Sequence, residues 1–288
     1  MFVCFCLSKA RVHADDIYVG SYLNNTVEKL DPDGNGSVFA NSGLNAPNGL
    51  AFDGSGNLYV ANSASNTIVR LDSGGNGSVF ANSGLNGPFG VAFDSLGNLY
   101  VANANDNTIE KFDSGGHGSV FAGSGLNEPV ALAFDRSGNL YVASYGNGRI
   151  VRFDSSGNDS VFASGLNYPQ GLAFDNSGNL YVANSASNTI VRLDPSGNGS
   201  VFADSGLNDP FGLAFDSRGN LYVANPGPPF ATDGTIEEFA PNGSGSLFAS
   251  GLTGVTSIAV QVPEPATWAM VALGVGALVG SRRLRRAR

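Results

Sequence analysis

The 288-residue chain has two cysteines, Cys4 and Cys6, and both lie within its first seven residues. The rest of the chain therefore has no disulfide, no thiolate nucleophile and no sulfur ligand for a metal. Histidine is as scarce, with His13 near the start and His117 in the body. That excludes a histidine-rich zinc site and leaves a Ser-His-Asp arrangement with one candidate base. Charged residues make up 14% of the chain, and basic ones are rare in its middle. Between Asp15 and Val262 stand 8 Lys and Arg against 23 Asp and Glu, a net charge of −15. Such a surface repels nucleic-acid phosphates and anionic lipid, so no nucleic-acid partner is expected. Long apolar runs are absent except from Ala266 to Gly280.

Glycine, by contrast, is abundant, with 40 residues. With so little charge and recurrent Leu, Val, Phe and Tyr, the composition suits many short strands joined by tight turns. The motif IYVG or LYVA begins at Ile17, Leu58, Leu99, Leu140, Leu180 and Leu221, at spacings of 41, 41, 41, 40 and 41 residues. Six copies of a unit near ~40–45 residues predict an all-β, six-bladed β-propeller with four strands per blade. One unit reads as strands around Gly49–Phe52, Leu58–Ala61, Thr67–Leu71 and Ser78–Ala81, separated by Asp- and Gly-rich turns. The repeats begin with a second strand at Ile17 and end with a lone first strand at Ser257–Val260. Pairing these two ends completes one blade and closes the ring.

Units such as PFGLAFDSRGNLYVAN and NTIVRLDPSGNGSVFA resemble the NHL-repeat family over Asp15 to Gln261. That resemblance implies a fold used for protein binding, RNA binding and, in relatives, hydrolysis or lyase chemistry. The fold therefore does not choose the function. In such blades the loops into the innermost strand and those between second and third strands gather at the mouth of the central channel. One predicted ring there is the residue after the loop proline: Asn48, Phe89, Val130, Gln170 and Phe211, with Thr256 at the matching place. A second follows LYVA: Ser21, Asn62, Asn103, Ser144, Asn184 and Asn225. Carboxamides and hydroxyls in this arrangement suit sugar hydroxyls or peptide groups, and Phe89 and Phe211 suit stacking on apolar faces. The Asn residues equally suit turn chemistry that satisfies local backbone groups. A five-residue insertion between Asn225 and Ile236, rich in proline and carrying Phe230, is a further candidate contact on this face.

Enzyme readings find less. Gluconolactonase-type propellers hold a metal with Glu, Asn and Asp at the channel mouth. Asn48 resembles that Asn, but the Asp expected after the YVA strand is Asn or Ser in the repeats here, and Glu128 is one residue out of place. No metal site or cofactor is assigned, and a divalent cation at the mouth is the one left open. The streptogramin-lyase relatives use a catalytic His, and His117 falls in a turn on the opposite face. Segments 58–98 and 180–220 are near copies, differing at 73, 74, 82, 87, 91 and 96 of the first. Near copies three blades apart fit a binding or structural module better than a catalytic site, which needs unlike residues converging. The recurrent Asp-x-x-Gly-Asn turns lack the downstream Glu of a calcium loop.

The two ends read as targeting segments. Residues 1–14, an apolar stretch followed by Val12-His13-Ala14, read as the end of a secretory signal peptide whose start lies upstream, with cleavage after Ala14. Residues 262–288 contain Pro263-Glu264-Pro265, the apolar run and five arginines from Arg282. This order resembles the PEP-CTERM sorting signal, which implies recognition by a membrane-embedded exosortase. Fifteen apolar residues span ~22 Å as a helix against a hydrocarbon layer of ~30 Å, which suits a short, transient inner-membrane anchor. The arginines place the body outside the cytoplasm. Together these features predict an exported, monomeric propeller over 15–261 at the cell surface or in the extracellular matrix. It would bind a polysaccharide or protein without catalysis, with a metal-dependent lactonase as the alternative.

Overall fold

A computed structural model of the chain describes residues 15–227 and 232–261. The signal segment, the sorting segment with its expected transmembrane helix, and Phe230 lie outside the described residues. Among those described, no helix is long and apolar enough to cross a membrane.

The described residues form six four-stranded antiparallel sheets, one per repeat. Blade 1 joins Val255–Gln261, the last strand, to Asp16–Ser21, Thr26–Leu30 and Gly36–Ala40. Blade 2 begins at Pro47–Phe52, blade 3 at Pro88–Phe93, blade 4 at Pro129–Phe134, blade 5 at Pro169–Phe174 and blade 6 at Leu213–Phe215. The predicted closure is present, with Ile17 opposite Val260 and Val19 opposite Ile258.

Burial follows position within the blade. The second strands, such as Leu58–Asn62, are buried along their whole length because a neighbouring blade covers each face. The fourth strands, such as Gly77–Ala81, expose their first three residues at the rim and bury the last. Aromatic rings join the blades. Tyr59 lies edge-on to Phe80 of its own blade at 5.0 Å and to Phe93 of the next at 4.9 Å. The same triplet recurs at Tyr18, Tyr100, Tyr141 and Tyr181. Each edge-to-face pair contributes ~0.5–1.5 kcal/mol beyond burial. The sixth joint differs: Tyr222 meets Phe248 of its own blade at 5.1 Å, and Val260 stands where the second Phe would be.

The Asp-x-x-Gly-Asn turns close the hairpins on one face. In Asp53–Asn57 the Asp53 carboxylate accepts the N–H groups of Ser55 at 2.8 Å and Asn57 at 2.9 Å, and the Asn57 amide donates back at 2.8 Å. These carboxylates are occupied by their own turns. The other face carries the loops into the innermost strands and those between second and third strands.

Candidate functional site at the channel mouth

In five blades the innermost strand begins with a bulge. Pro47 pairs with Asn62 and Leu50 with Val60, so Asn48 and Gly49 together oppose Ala61 alone. The same irregularity follows Pro88 and Pro169. An extra residue kinks the strand and re-aims its side chains. Here it directs Asn48, Phe89 and Gln170 to the wall of the central channel, which Val130, Phe211 and Thr256 share. In four units the next residue is glycine, where the following blade leaves little room: a Cβ at Gly171 would strike the carbonyl oxygen of Phe211. Packed this closely, the inner strands leave a channel of only about 90 Å³.

Above the channel lies a larger cavity of about 500 Å³, with Phe89, Val130, Gln170 and Phe211 as its floor. The first predicted ring thus splits. Gln170, Phe89 and Phe211 reach both spaces, while Asn48 is buried in the channel wall with its amide held by the Ser63 hydroxyl at 2.8 Å. Gln170 is 9% exposed, and its Oε1 has no hydrogen-bond partner.

The second predicted ring does not face solvent. Asn62 is fully buried; its Oδ1 accepts the Asn45 N–H at 3.2 Å, and its amide donates to the Gly43 carbonyl at 2.9 Å and the Thr67 hydroxyl at 3.3 Å. Asn103 and Asn225 repeat all three contacts, with Asn86, Gly84 and Thr108 and with Asn208, Gly206 and Thr235. Asn184 holds Asn167 at 2.6 Å, and Ser144 takes Asn127 at 2.8 Å. Of the two roles open to these residues, their contacts are those of turn chemistry: the buried side chains clip the loop backbone.

The sequence reading missed the residue just before the loop proline. Ala46, Gly87, Glu128, Tyr168, Asp209 and Gly254 have φ of 52°, 59°, 49°, 54°, 54° and 58°. All six are left-handed, yet three consecutive blades place a charged or aromatic side chain where others have Gly or Ala. The near copies 58–98 and 180–220 differ here too, Gly87 against Asp209. Comparing the repeats at that column would have revealed the asymmetry.

These side chains gather on one side of the mouth. Glu128 and Tyr145 line the large cavity, and Tyr168 lies against Tyr145 with ring centroids 4.8 Å apart and planes tilted 33°. Burial pushes the Tyr145 hydroxyl above the usual phenol range, and the neighbouring Tyr168, Asp209 and Glu128 add to it. Burial also holds the half-buried Asp209 carboxyl above its ordinary value, against a hydrogen bond from Ser185. No Lys or Arg lines the cavity. Lys29, Arg70, Lys111, Arg152 and Arg192 stand opposite second-strand tyrosines. Arg136 and Arg218 lie in hairpins of the other face, and Arg149 begins a third strand on the mouth side. Among the described residues no three His, Cys, Asp or Glu side chains come together as metal ligands. His117 sits on the opposite face with its side chain 85% exposed, against Asp113 at 3.1 Å.

Comparison with known proteins returned two family matches: the NHL repeat over residues 166–193 and the PEP-CTERM protein-sorting motif over 261–286. No curated protein matches. Among solved structures, a chain of the nidogen/laminin complex is 22% identical with a TM-score of 0.76, covering 87% of this chain and 100% of that one. Virginiamycin B lyase from Staphylococcus aureus is 16% identical with a TM-score of 0.66, covering 86% and 88%. A streptogramin B lyase is 16% identical with a TM-score of 0.65, covering 81% and 79%. At these identities the likeness speaks for the fold. The sorting motif implies recognition by an exosortase and export through a membrane-anchored precursor. The chain folds as a six-bladed β-propeller, one of whose units matches the NHL repeat, and its end matches the PEP-CTERM protein-sorting motif.

Proposed function

We propose that this protein is released to the cell surface or extracellular matrix and there binds a polymer through the mouth of its propeller, without catalysis. The observation that carries this reading is the unequal mouth. In a molecule of near-copy blades, the side chains that differ most are gathered around one cavity of about 500 Å³ lined by aromatic, carboxamide and carboxylate groups. That size and chemistry suit a ligand unit held by stacking and a few polar contacts. An extracellular polysaccharide fits better than a folded protein, because the feature is concave and narrow. Pro263-Glu264-Pro265 and the following apolar segment act as the temporary inner-membrane anchor removed by exosortase.

Neither enzyme reading gains support. A metal-dependent lactonase needs several carboxylates converging at the mouth, and Asn62, Asn103, Asn184 and Asn225 occupy the post-strand positions as loop clips. A histidine-to-alanine variant of virginiamycin B lyase is described as catalytically inactive. The His117 imidazole here is on the face away from the mouth.

Two measurements test the proposal. Replacing Pro263-Glu264-Pro265 with alanines is expected to leave precursor in the inner membrane; unchanged release overturns the sorting part. The purified full chain is screened against surface polysaccharides, and a ligand weakened by Tyr145→Ala at unchanged melting temperature supports the binding part. A ligand indifferent to Tyr145→Ala and to Phe89→Ala overturns it.

A further inference from the structure

Three properties of the mouth cavity point to one kind of ligand. First, its charge has one sign. Glu128 lines the cavity, Asp209 lies within electrostatic reach of Tyr145 beside it, and no Lys or Arg is part of its wall. Second, Tyr145 lines the cavity, and the Tyr168 ring packs on it with centroids 4.8 Å apart and planes tilted 33°. Aromatic faces attract cations and stack on the apolar faces of sugar rings. Third, the wall carries carboxamides beside the apolar Phe89, Ala104, Val130 and Phe211. Asn105, Asn127 and the nine-tenths-buried Gln170, whose Oε1 is unpartnered, line the same space.

The backbone adds an independent argument. Glu128, Tyr168 and Asp209 occupy a left-handed conformation that Gly87 and Gly254 adopt without steric cost. The ring closes with glycine at this column in two blades, so folding does not call for the larger side chains. Ala46 holds the same conformation, so the left-handed backbone belongs to the whole column; what is grouped on three adjacent blades around the cavity is the large polar or aromatic side chain, carried there at a steric cost.

We infer that this cavity binds a positively charged amino-sugar unit of a glycan, its ammonium group between Glu128 and Asp209 and its ring against Tyr145 and Tyr168. The carboxamides take the sugar hydroxyls, and this favours a glycan over a basic peptide, which would leave them unused. The inference rests on the mouth-face reading above and narrows it to one ligand class.

The test is calorimetric titration of the full chain in detergent with a glucosamine trimer, its fully N-acetylated counterpart and trilysine. The glucosamine trimer is expected to bind about tenfold more tightly than the neutral trimer, since acetylation removes the charge-assisted contacts. Glu128→Gly and Asp209→Gly are each expected to weaken it at least about fivefold while the melting temperature stays level or rises, because glycine relieves the left-handed backbone. A merely structural role would lower the melting temperature instead. Equal binding of the two trimers, tighter binding of trilysine, or no binding of any of the three overturns the inference. If the neutral trimer binds and Tyr145→Ala weakens it, the mouth-face reading stands and only the charge argument falls. If no mouth variant changes binding, both fall.

Discussion

The Oδ1 of Asn107 accepts the backbone N–H of Glu128 at 2.6 Å, across the joint between blades 3 and 4. The bond recurs from Asn25 to Ala46 at 2.7 Å, Asn66 to Gly87 at 2.8 Å and Asn188 to Asp209 at 2.7 Å. Asn25, Asn66, Asn107 and Asn188 are themselves left-handed, which asparagine tolerates better than most residues. At the joint of blades 4 and 5 the equivalent residue is Gly148, which has no side chain to offer. The Asn clip therefore ties four of the mouth loops to the preceding blade and sets the backbone from which Glu128 and Asp209 project. Asn107→Ala is expected to destabilise the fold by about 1 kcal/mol, through the lost bond and the loss of a residue suited to positive φ. Thermal melts check this. Melting unchanged within error would mean that water replaces the amide.

Asn62 bears on the opposite expectation, that the residue after LYVA contacts a ligand. With its carboxamide bonded to Asn45, Gly43 and Thr67, Asn62→Ala removes three hydrogen bonds made by a fully buried side chain. A loss of ~1–3 kcal/mol follows, with glycan affinity unchanged under conditions where the protein stays folded. Chemical denaturation and binding on the same variant decide it. A stable variant with weakened binding would restore the residue to the ligand site.

The repeat period, the strand order and the ring closure were legible in the sequence because each has a local signal: the IYVG or LYVA motif every 40 or 41 residues, Asp and Gly at the turns, three strands of a blade at one end and its fourth at the other. The face on which Phe89, Gln170 and Phe211 converge followed from the same register. What could not be read was the fate of an amide. Asn62 after a strand looks the same in sequence whether it meets water or the Gly43 carbonyl, because the partner lies 19 residues away across a loop. The site around Glu128, Tyr168 and Asp209 was missed for another reason. Attention to the positions the repeats share hides the one column where they part, and only φ shows that the column is structurally uniform.

Gly171 tests the inner wall. Its missing Cβ is where the Phe211 carbonyl oxygen passes, and the neighbouring Leu213 side chain is 3.1 Å from the same point. Gly171→Ala is expected to cost ~1–3 kcal/mol, as overpacking does where backbone rather than a flexible side chain must move. Gly178→Ala, in an open turn with φ of +85°, separates the two effects: there the cost is backbone strain alone. Equal losses in the two variants would contradict the inter-blade clash.

Acid stability follows from the turns. Backbone and side-chain hydrogen bonds from Asn76 hold the Asp72 carboxyl below the usual range, and His117 with Gly115 does the same for Asp113. Asp154 and Asp194 are lowered by Asn158 and Asn198. A carboxyl depressed in the folded state stabilises above its unfolded value of about 3.9 and loses that contribution as pH falls through the folded one. Burial acts the other way on Glu110, Glu237 and Asp209, which it raises, so these relieve the fold on protonation. The melting temperature is therefore expected to hold or rise slightly from about pH 7 to 5 and to drop below about pH 4. Steady melting down to about pH 2.5 would show that the turn carboxylates do not stabilise the fold.

Closure of the ring depends on Val255–Gln261, which pairs along Asp16–Ser21 and places Val255 and Ile258 in the core between blades 1 and 6. The buried Thr256 hydroxyl donates to the Pro47 carbonyl at 3.1 Å, tying the closing strand to blade 2 as well. This is also the joint where Tyr222 lacks its second Phe; its hydroxyl is instead 3.1 Å from the Glu238 carboxylate. With less aromatic contact there, the strand pairing carries more of the joint. Ending the chain after Leu252 removes two buried aliphatic side chains worth ~1.5–3 kcal/mol each, a ladder of backbone bonds, and the cover over Ile17 and Val19. Against a typical stability of ~5–15 kcal/mol, the truncated ring is expected to lose cooperative unfolding and to associate through the exposed Asp16–Ser21 edge. Ending it after Gln261 instead leaves every described strand in place and is expected to preserve the melting transition. Circular dichroism melts with size-exclusion chromatography on the two truncations distinguish these outcomes. A cooperative, monomeric protein ending at Leu252 would show that the six-bladed ring does not need its closing strand.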